Sequence, residues 1–285
     1  MRALIIGVDG KIGRALEERL TRLGWEVMGT SRRPEQRKKV WYFDLEHLKG
    51  LEDLPSCDHL FICAAMTKHA DCQNNPEQAR RINVDAPIAI TRHFSPCGTH
   101  IVFLSTNAVF NGTVPQELSD SETAPTSFYG RSKADAEKEL LKIAGSSLSI
   151  LRMTKVLSSD QQLFIEWISS LRSSKEVHAF YNMSMAPITL EHVIDGLVAI
   201  ASTRSTGIFQ ASASYDISYF EAAQYFARRI GADPFLVIRK SATDNGIPPV
   251  ENPRFTSLDT SRLTGLLGRQ NTNEPFEAMD RVFNL

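Results

Sequence analysis

The 285-residue chain has only four cysteines, no long hydrophobic run and almost no excess charge, and each scarcity removes a class of protein. Cys57, Cys63, Cys72 and Cys97 form no CxxC pair and have no histidine at a zinc-like interval, so neither a zinc ribbon nor a disulfide scaffold is expected. All four read as reduced, structural thiols, Cys63 as a small hydrophobe inside an apolar strand. No His/Asp/Glu cluster has ligand spacing, and no metal is expected. The longest apolar stretches, such as 3–8 and 101–104, fall far short of the roughly 20 residues that span a bilayer. The run after Arg2 is interrupted by Asp9, Gly10 and Lys11 and no small-residue cleavage site follows, which argues against a signal peptide. A formal net charge of −1 gives no support to a nucleic-acid or anionic-membrane partner. A cytoplasmic protein with a small-molecule ligand is the expectation that remains.

What is present begins at the first residues. Leu4, Ile5, Ile6 and Val8 have the pattern of a buried parallel strand. Gly7, Gly10 and Gly13 follow, and Ile12, Ala15, Leu16, Leu20 and Leu23 then fall on one helical face. Strand, glycine turn and helix open a βαβ unit that binds a dinucleotide pyrophosphate. A Cβ on the glycines would block the turn or hold phosphates away from the backbone, while the helix start at Lys11 and Ile12 supplies N–H donors. A purely structural turn is the plainer alternative.

Residues 25–30 read as the second strand. An NAD-selective fold places Asp or Glu beyond it, about 20 residues after the glycines, for the ribose 2′-hydroxyl. Here the stretch is Gly29-Thr30-Ser31-Arg32-Arg33, with no acid and two guanidiniums suited to a 2′-phosphate. That favours NADP over NAD. The competing reading is a solvated basic loop continuing into Arg37, Lys38 and Lys39.

Further strands are expected at 40–43, 60–65, 101–104 and 147–153. Residues 66–76 read as a polar loop, 77–94 as one helix despite Pro87, and 109–125 as a loop. The helix after Ser127 carries Tyr129 and Lys133. This alternation predicts an α/β, Rossmann-type doubly wound parallel sheet over residues 1–155. Residues 156–285 are expected to form a smaller C-terminal α/β substrate domain, with segments returning to the Rossmann core. In that half, helices are expected at 163–171, 190–201 and 217–230, with a strand at 207–211. A proline-bearing loop over 247–267 is expected to wrap back over the site and end in a short helix.

Tyr129 and Lys133 lie four residues apart and share a helix face. A tyrosine with a pKa near 10 is a poor acid–base catalyst at neutral pH, and an adjacent ammonium is expected to lower it. Lys133 can also hold a nicotinamide ribose hydroxyl. Thr106, at the mouth of the fifth strand, can offer a hydroxyl to a substrate carbonyl. Either feature alone is commonplace. Their order after the glycine motif points to hydride transfer between nicotinamide and a carbon–oxygen centre.

Gly7-x-x-Gly10-x-x-Gly13, Asp44-Leu45, Ala64-Ala65, Asn83-Val84, Ser105-Thr106 and Tyr129-Gly130-Arg131-Ser132-Lys133 together resemble the extended short-chain dehydrogenases/reductases. Within them the chain is most similar to the dTDP-4-dehydrorhamnose reductase group. Residues 105–112, 186–189 and 255–259 carry that similarity across nearly the whole length. The resemblance implies an NAD(P)H-dependent reductase of a nucleotide-linked keto-sugar, in polysaccharide biosynthesis, with Thr106, Tyr129 and Lys133 as catalytic triad. It implies Asp44 near adenine, Leu45, Ala64 and Ala65 along the cofactor, and Asn83 packing the loop of the active-site lysine. Homodimers are common in the family, and nothing in the sequence marks an interface.

The group reads Thr-Asp-Tyr-Val-Phe-Asp-Gly where this chain has Asn107, Ala108 and Asn111 in place of the two acids and the tyrosine. The sugar pocket is therefore reshaped. Related 4,6-dehydratases place an Asp-Glu pair after the threonine, and Asn107-Ala108 cannot replace it. An epimerase uses the same triad and stays open as an alternative. So does a non-catalytic NADP-binding regulatory subunit, because the beta subunit of methionine adenosyltransferase resembles this group and acts by binding its partner enzyme. The tail from 271 to 285, with Phe276, Met279, Val282, Phe283 and Leu285, either covers the protein's own core or docks a partner.

Overall fold

The apolar run after Met1 becomes the middle of a sheet, in a computed structural model that describes residues 1–34, 37–247, 253–268 and 274–285. The chain begins β1 (Arg2–Ile6), α1 (Lys11–Arg22), β2 (Glu26–Ser31), β3 (Val40–Tyr42) and β4 (His59–Ile62). It continues through α2 (His69–Asn74), α3 (Pro76–Arg80), α4 (Ala86–Phe94), β5 (His100–Thr106), α5 (Phe128–Ala144) and β6 (Leu148–Met153). Then come β7 (Val156–Leu157), α6 (Gln162–Arg172), β8 (Val177–Phe180), β9 (Ser184–Met185), β10 (Ile188–Thr189), α7 (Leu190–Thr203) and β11 (Gly207–Ala211). The last elements are β12 (Ile217–Ser218), α8 (Tyr219–Arg229), β13 (Val237–Lys240), α9 (Ser261–Leu267) and α10 (Pro275–Phe283).

The large sheet has the order β11-β6-β5-β4-β1-β2-β3. β1 pairs in parallel with β2, Ile6 opposite Thr30, and with β4, Ile6 opposite Ile62. The strand order reverses between β1 and β4, which opens a crevice at their carboxyl ends, where doubly wound sheets bind ligands. This is the Rossmann-type fold.

The chain divides into two compact units. The first comprises Met1–Val109, Thr123–Arg152 and Val193–Phe209, and the second Phe110–Glu122, Met153–His192 and Gln210–Leu285. In the first, Leu4, Ile6, Leu60, Ile62, Phe103 and Ile150 of the strands pack against Ile90 and Phe94 of α4 and Leu140 of α5. In the second, Phe164, Trp167 and Leu171 of α6 pack with Phe226 of α8, Val237 of β13 and Met279 of α10. Val177 of β8 lies opposite Val237 in a parallel pair. Phe283 meets the edges of Phe164 and Phe226 at 5.5 and 5.4 Å, so the C-terminal helix covers its own unit's core.

Three local expectations change. Residues 69–74 are helical rather than loop, with Asp71 in the first turn, where a carboxylate complements the helix dipole. The helix expected over 77–94 is split by a π turn at Arg81–Asp85. Its widened bond runs from Ala86 N–H to the Arg81 carbonyl, just ahead of Pro87, which has no N–H to continue the regular ladder. The helix expected from Ile217 instead starts at Tyr219, because Ser218 and Glu221 form a reciprocal capping box. Pro248 and Pro249 of the expected loop lie outside the described residues, and its short helix is α9.

Candidate active site

Gly7 has φ +88°, a backbone conformation that side chains resist, and a Cβ there would overlap Ala64. A Cβ on Gly13 would overlap the Gly7 carbonyl oxygen, so α1 can start this close to β1 only with glycine. Gly7 N–H donates to Thr30 Oγ1 at 3.1 Å, and Gly10 caps α1 without any side-chain hydrogen bond. The helix N-terminus is thus presented by backbone alone, as an anion cradle requires.

Beside the turn lies a cavity of about 400 Å³ lined by Gly7, Ser31, Arg32, Asp44, Leu45, Ala64 and Ala65, all expected from the sequence. Ile6, Asp9, Thr30, Phe43, Glu46, Met66, Gln78 and Ile82 complete the lining. Its shape and contents fit a dinucleotide: a side-chain-free turn, apolar walls, and Arg32 with Asp44 at the β2–β3 end. Arg33 is not among the lining residues; its N–H donates to Ser31 Oγ at 2.8 Å, which shapes the bend after β2. Gly10, Lys11, Ile12 and Gly13 stand at the turn and the start of α1 rather than in this lining. Asp44 accepts from His47 and from Glu46 N–H, and these bonds hold its carboxyl below the usual range.

The triad assembles around another glycine. A Cβ on Gly130 would overlap the Ala108 carbonyl, so the start of α5 can close onto the short turn Asn107–Val109 that follows β5. Ser127 caps α5 by accepting from Gly130 N–H at 3.1 Å. This brings the Tyr129 hydroxyl into hydrogen bonding with Thr106, whose Oγ1 also accepts from Ala108 N–H at 3.1 Å. Burial pushes Tyr129 up to about 12, only partly opposed by the Thr106 bond. The expected lowering of Tyr129 by Lys133 is therefore not found. Burial acts on Lys133 too and pushes it down to about 7, with its Nζ 3.8 Å from the centre of the Phe103 ring. Desolvation is the largest cause of both shifts.

Asn83 performs a more specific task than packing. From the π turn it accepts from Met66 N–H at 2.8 Å and donates to the Met66 carbonyl and Ser132 Oγ at 2.9 and 3.2 Å. It thereby ties the end of β4 to the residue preceding Lys133. Sequence reasoning missed His69, whose ring lies 5.1 Å from that of Tyr129. It also missed Gln78 and Arg81, which both donate to Glu46 at 2.8 Å. The missed helix α2 hid the first; a polar helix face opposite an acid gives no sequence signal for the others. None of the four cysteines is bonded to another, and burial pushes the Cys57 and Cys63 thiols up to about 12. Among the described residues no cluster could hold a metal ion, and no helix is long and apolar enough to cross a membrane.

The second unit has a cavity of its own, about 520 Å³, lined by Tyr181, Phe220, Arg239, Arg254 and Phe255, with Asp216 and the start of α8. The Arg239 guanidinium sits 3.9 Å from the Tyr181 ring centre and that of Arg254 5.0 Å from Phe255. Asp216 accepts from Thr256 and Ser257 N–H at 2.6 and 3.2 Å and fixes this segment.

The RmlD substrate binding domain family matches residues 1–278. A probable low-salt glycan biosynthesis reductase of Haloferax volcanii is 27% identical over 280 residues, covering 94% of this chain and 93% of that protein. Methionine adenosyltransferase 2 subunit beta of Pongo abelii is 24% identical over 278 residues, 93% of this chain and 82% of that protein. The solved structure of a dTDP-4-dehydrorhamnose reductase from Bacillus anthracis in complex with NADP superposes with a TM-score of 0.85 at 18% identity, over 99% of this chain and 98% of that one.

Proposed function

Because the chain belongs to the RmlD substrate binding domain family, we propose that it is an NADPH-dependent reductase of a keto group on a nucleotide-linked sugar. The observation that carries this reading is the hydrogen-bonded Thr106–Tyr129 pair, with Lys133 one helical turn on from Tyr129 and Asn83 tying the adjacent Ser132 to Met66 of the glycine-turn cleft. When bound, NADPH supplies the hydride. Thr106 polarises the carbonyl oxygen by donating to it. Tyr129, protonated at neutral pH because burial holds it near 12, delivers its proton to the same oxygen as the carbon is reduced. A tyrosine held as the acid suits reduction better than the oxidative half-reaction of an epimerase, which needs it as a base.

Arg32 and Ser31 would hold the 2′-phosphate, and Gly7 through Gly13, with Lys11 and Ile12, the pyrophosphate. Two guanidiniums and three aromatic rings in the second unit's cavity suit a nucleoside diphosphate: stacking for the base, charge for the phosphates. The glycan-biosynthesis name of the Haloferax relative and the NADP in the Bacillus structure support the same assignment. Residues 156–285, less the segment Val193–Phe209 that returns to the Rossmann unit, would serve as the substrate domain together with Phe110–Glu122. A cytoplasmic location and a homodimer fit the reading and form part of the proposal. A second reading, a non-catalytic regulatory subunit, has the similarity to methionine adenosyltransferase 2 subunit beta in its favour.

Separate calorimetric titrations of NADPH and NADH, on the wild type and Arg32→Ala, test the cofactor assignment. Tight NADPH binding that the variant weakens about tenfold or more, with NADH little changed, is expected. Equal affinity for both in the wild type would overturn the NADP assignment. Tight NADPH binding with no oxidation by any nucleotide keto-sugar would favour the regulatory reading.

A further inference from the structure

A buried ionic cluster lies directly behind the proposed catalytic residues, and the reaction as described above makes no use of it. Glu137 is on α5, one turn beyond Lys133 and two beyond Tyr129. Arg152 of β6 donates to it through Nε at 3.2 Å to both carboxylate oxygens and through Nη2 at 2.7 Å. Ser105, the neighbour of Thr106 at the end of β5, donates a short hydrogen bond to Glu137 Oε1. Glu137 and Arg152 are each only 2% exposed. Isolating such a pair in the core is costly, and replacing it by apolar side chains is often neutral or stabilising. Its position therefore calls for a use.

We propose that Glu137 is a positioning residue for the reaction: its buried carboxylate, one helical turn from Lys133, stands as that lysine's counter-charge and, through Ser105, fixes Thr106 in register with Tyr129. The proposal rests on the reductase reading for the roles of those three residues. The groups facing the cluster are few. Lys133 Nζ lies over the uncharged Phe103 ring of β5; Glu137, one turn on along α5, and Cys63, after β4, favour its charged form electrostatically, while Arg152 stands beyond Glu137. Tyr129 meets Thr106 on β5 and His69 and Cys72 on α2. Glu137 meets Arg152 and Ser105. Among these, Glu137 supplies the largest pull toward the charged form of Lys133 against desolvation. Lys133 then titrates close to neutrality rather than below it, and can bind as a cation at working pH.

The test is a titration of the Lys133 side chain by NMR in 13C-lysine-labelled full-length protein, with the signal assigned by Lys133→Arg. It needs neither substrate nor turnover, so its outcome is separate from that of the reductase reading. Glu137→Gln should shift the Lys133 titration at least one pH unit lower. Glu137→Asp, which keeps the charge, should restore most of it. In parallel, the alkaline limb of NADPH binding against pH should move the same way in Glu137→Gln, whereas a merely structural change would lower binding equally at every pH. Because Glu137→Gln strands Arg152, Glu137→Gln/Arg152→Gln is the second variant, with a shift in the same direction but smaller, since the Arg152 cation that opposes the Lys133 charge is lost as well. A folded variant of either kind with an unmoved Lys133 titration would overturn the proposal. So would failure of both to fold, which would make the cluster a folding element alone.

Discussion

The two ends of the central sheet carry buried polar clusters on the same strands and treat them differently. At the amino end, His59 of β4 lies opposite His100 of β5, with their Nδ1 atoms 3.3 Å apart. His100 Nε2 bonds Ser149 of β6 at 2.8 Å, Ser149 donates to the Ser205 carbonyl, and Trp25 covers His59 at 4.9 Å. That chain closes on backbone and on an aromatic lid. At the carboxyl end, about 17 Å away along β5, Ser105, Glu137 and Arg152 form an equally buried group. This one adjoins Thr106, Lys133 and Tyr129, and the β1 and β4 ends there open into the cleft. A buried polar cluster that closes on itself holds strands together. One that ends beside a cavity, with a displaced lysine and tyrosine, is placed for chemistry.

Substitutions at the two ends should therefore separate activity from stability. The largest effect is expected from Tyr129→Phe: turnover falls by roughly 10³-fold, while NADPH affinity and thermal midpoint change little. Loss of binding along with turnover would erase the distinction between the two ends. Acid should expose the amino end. Burial, helped by their mutual repulsion and by Arg204, pushes His59 down to about 4, and burial does the same to His100. A folded-state pKa below the unfolded value near 6.5 means that stability is full above about pH 6.5 and is lost as pH falls toward 4, because the unfolded chain takes up protons first. The loss should reach about 3 kcal/mol per histidine, read by urea unfolding at stepped pH, and His59→Gln should reduce it without altering turnover at neutral pH. A flat profile would show that the pair is solvated.

Thr106→Val should lower turnover by about 10²-fold through loss of one donor to the developing oxyanion. Phe235, 90% exposed in the second unit, should be nearly silent: Phe235→Ser is expected within about 0.5 kcal/mol of wild type. A larger change would mean that the ring is covered in solution.

Much of this contrast could be read in advance at the carboxyl end and little at the amino end. Glycines, hydroxyl and Tyr-x-x-x-Lys announce themselves because each needs a particular residue type at a fixed offset, as the overlap of a Cβ on Gly13 or Gly130 with backbone illustrates. The seven strands of the large sheet follow from short apolar runs and turn residues. Helix α2 is polar, short and starts without a side-chain cap, so nothing in its sequence marks it, and His69 went with it. Pro87 marks the π turn in the sequence, but the task of Asn83 within it does not show there, because Met66 and Ser132 meet it only in the fold. The charge states of Tyr129 and Lys133 could not be read from their spacing either, because burial by distant residues outweighs what four-residue proximity suggests.

The central claim is that the carboxyl end of the sheet transfers hydride to a nucleotide-linked keto-sugar. The most direct measurement is a single turnover with NADPH deuterated at C4 and dTDP-4-dehydrorhamnose, followed by mass spectrometry of the sugar product, with UDP-linked keto-sugars run alongside. The account predicts one deuterium at the reduced carbon in the wild type and incorporation slowed by roughly 10³-fold with Tyr129→Phe. Tight NADPH binding without transfer of deuterium to any of these sugars would contradict it.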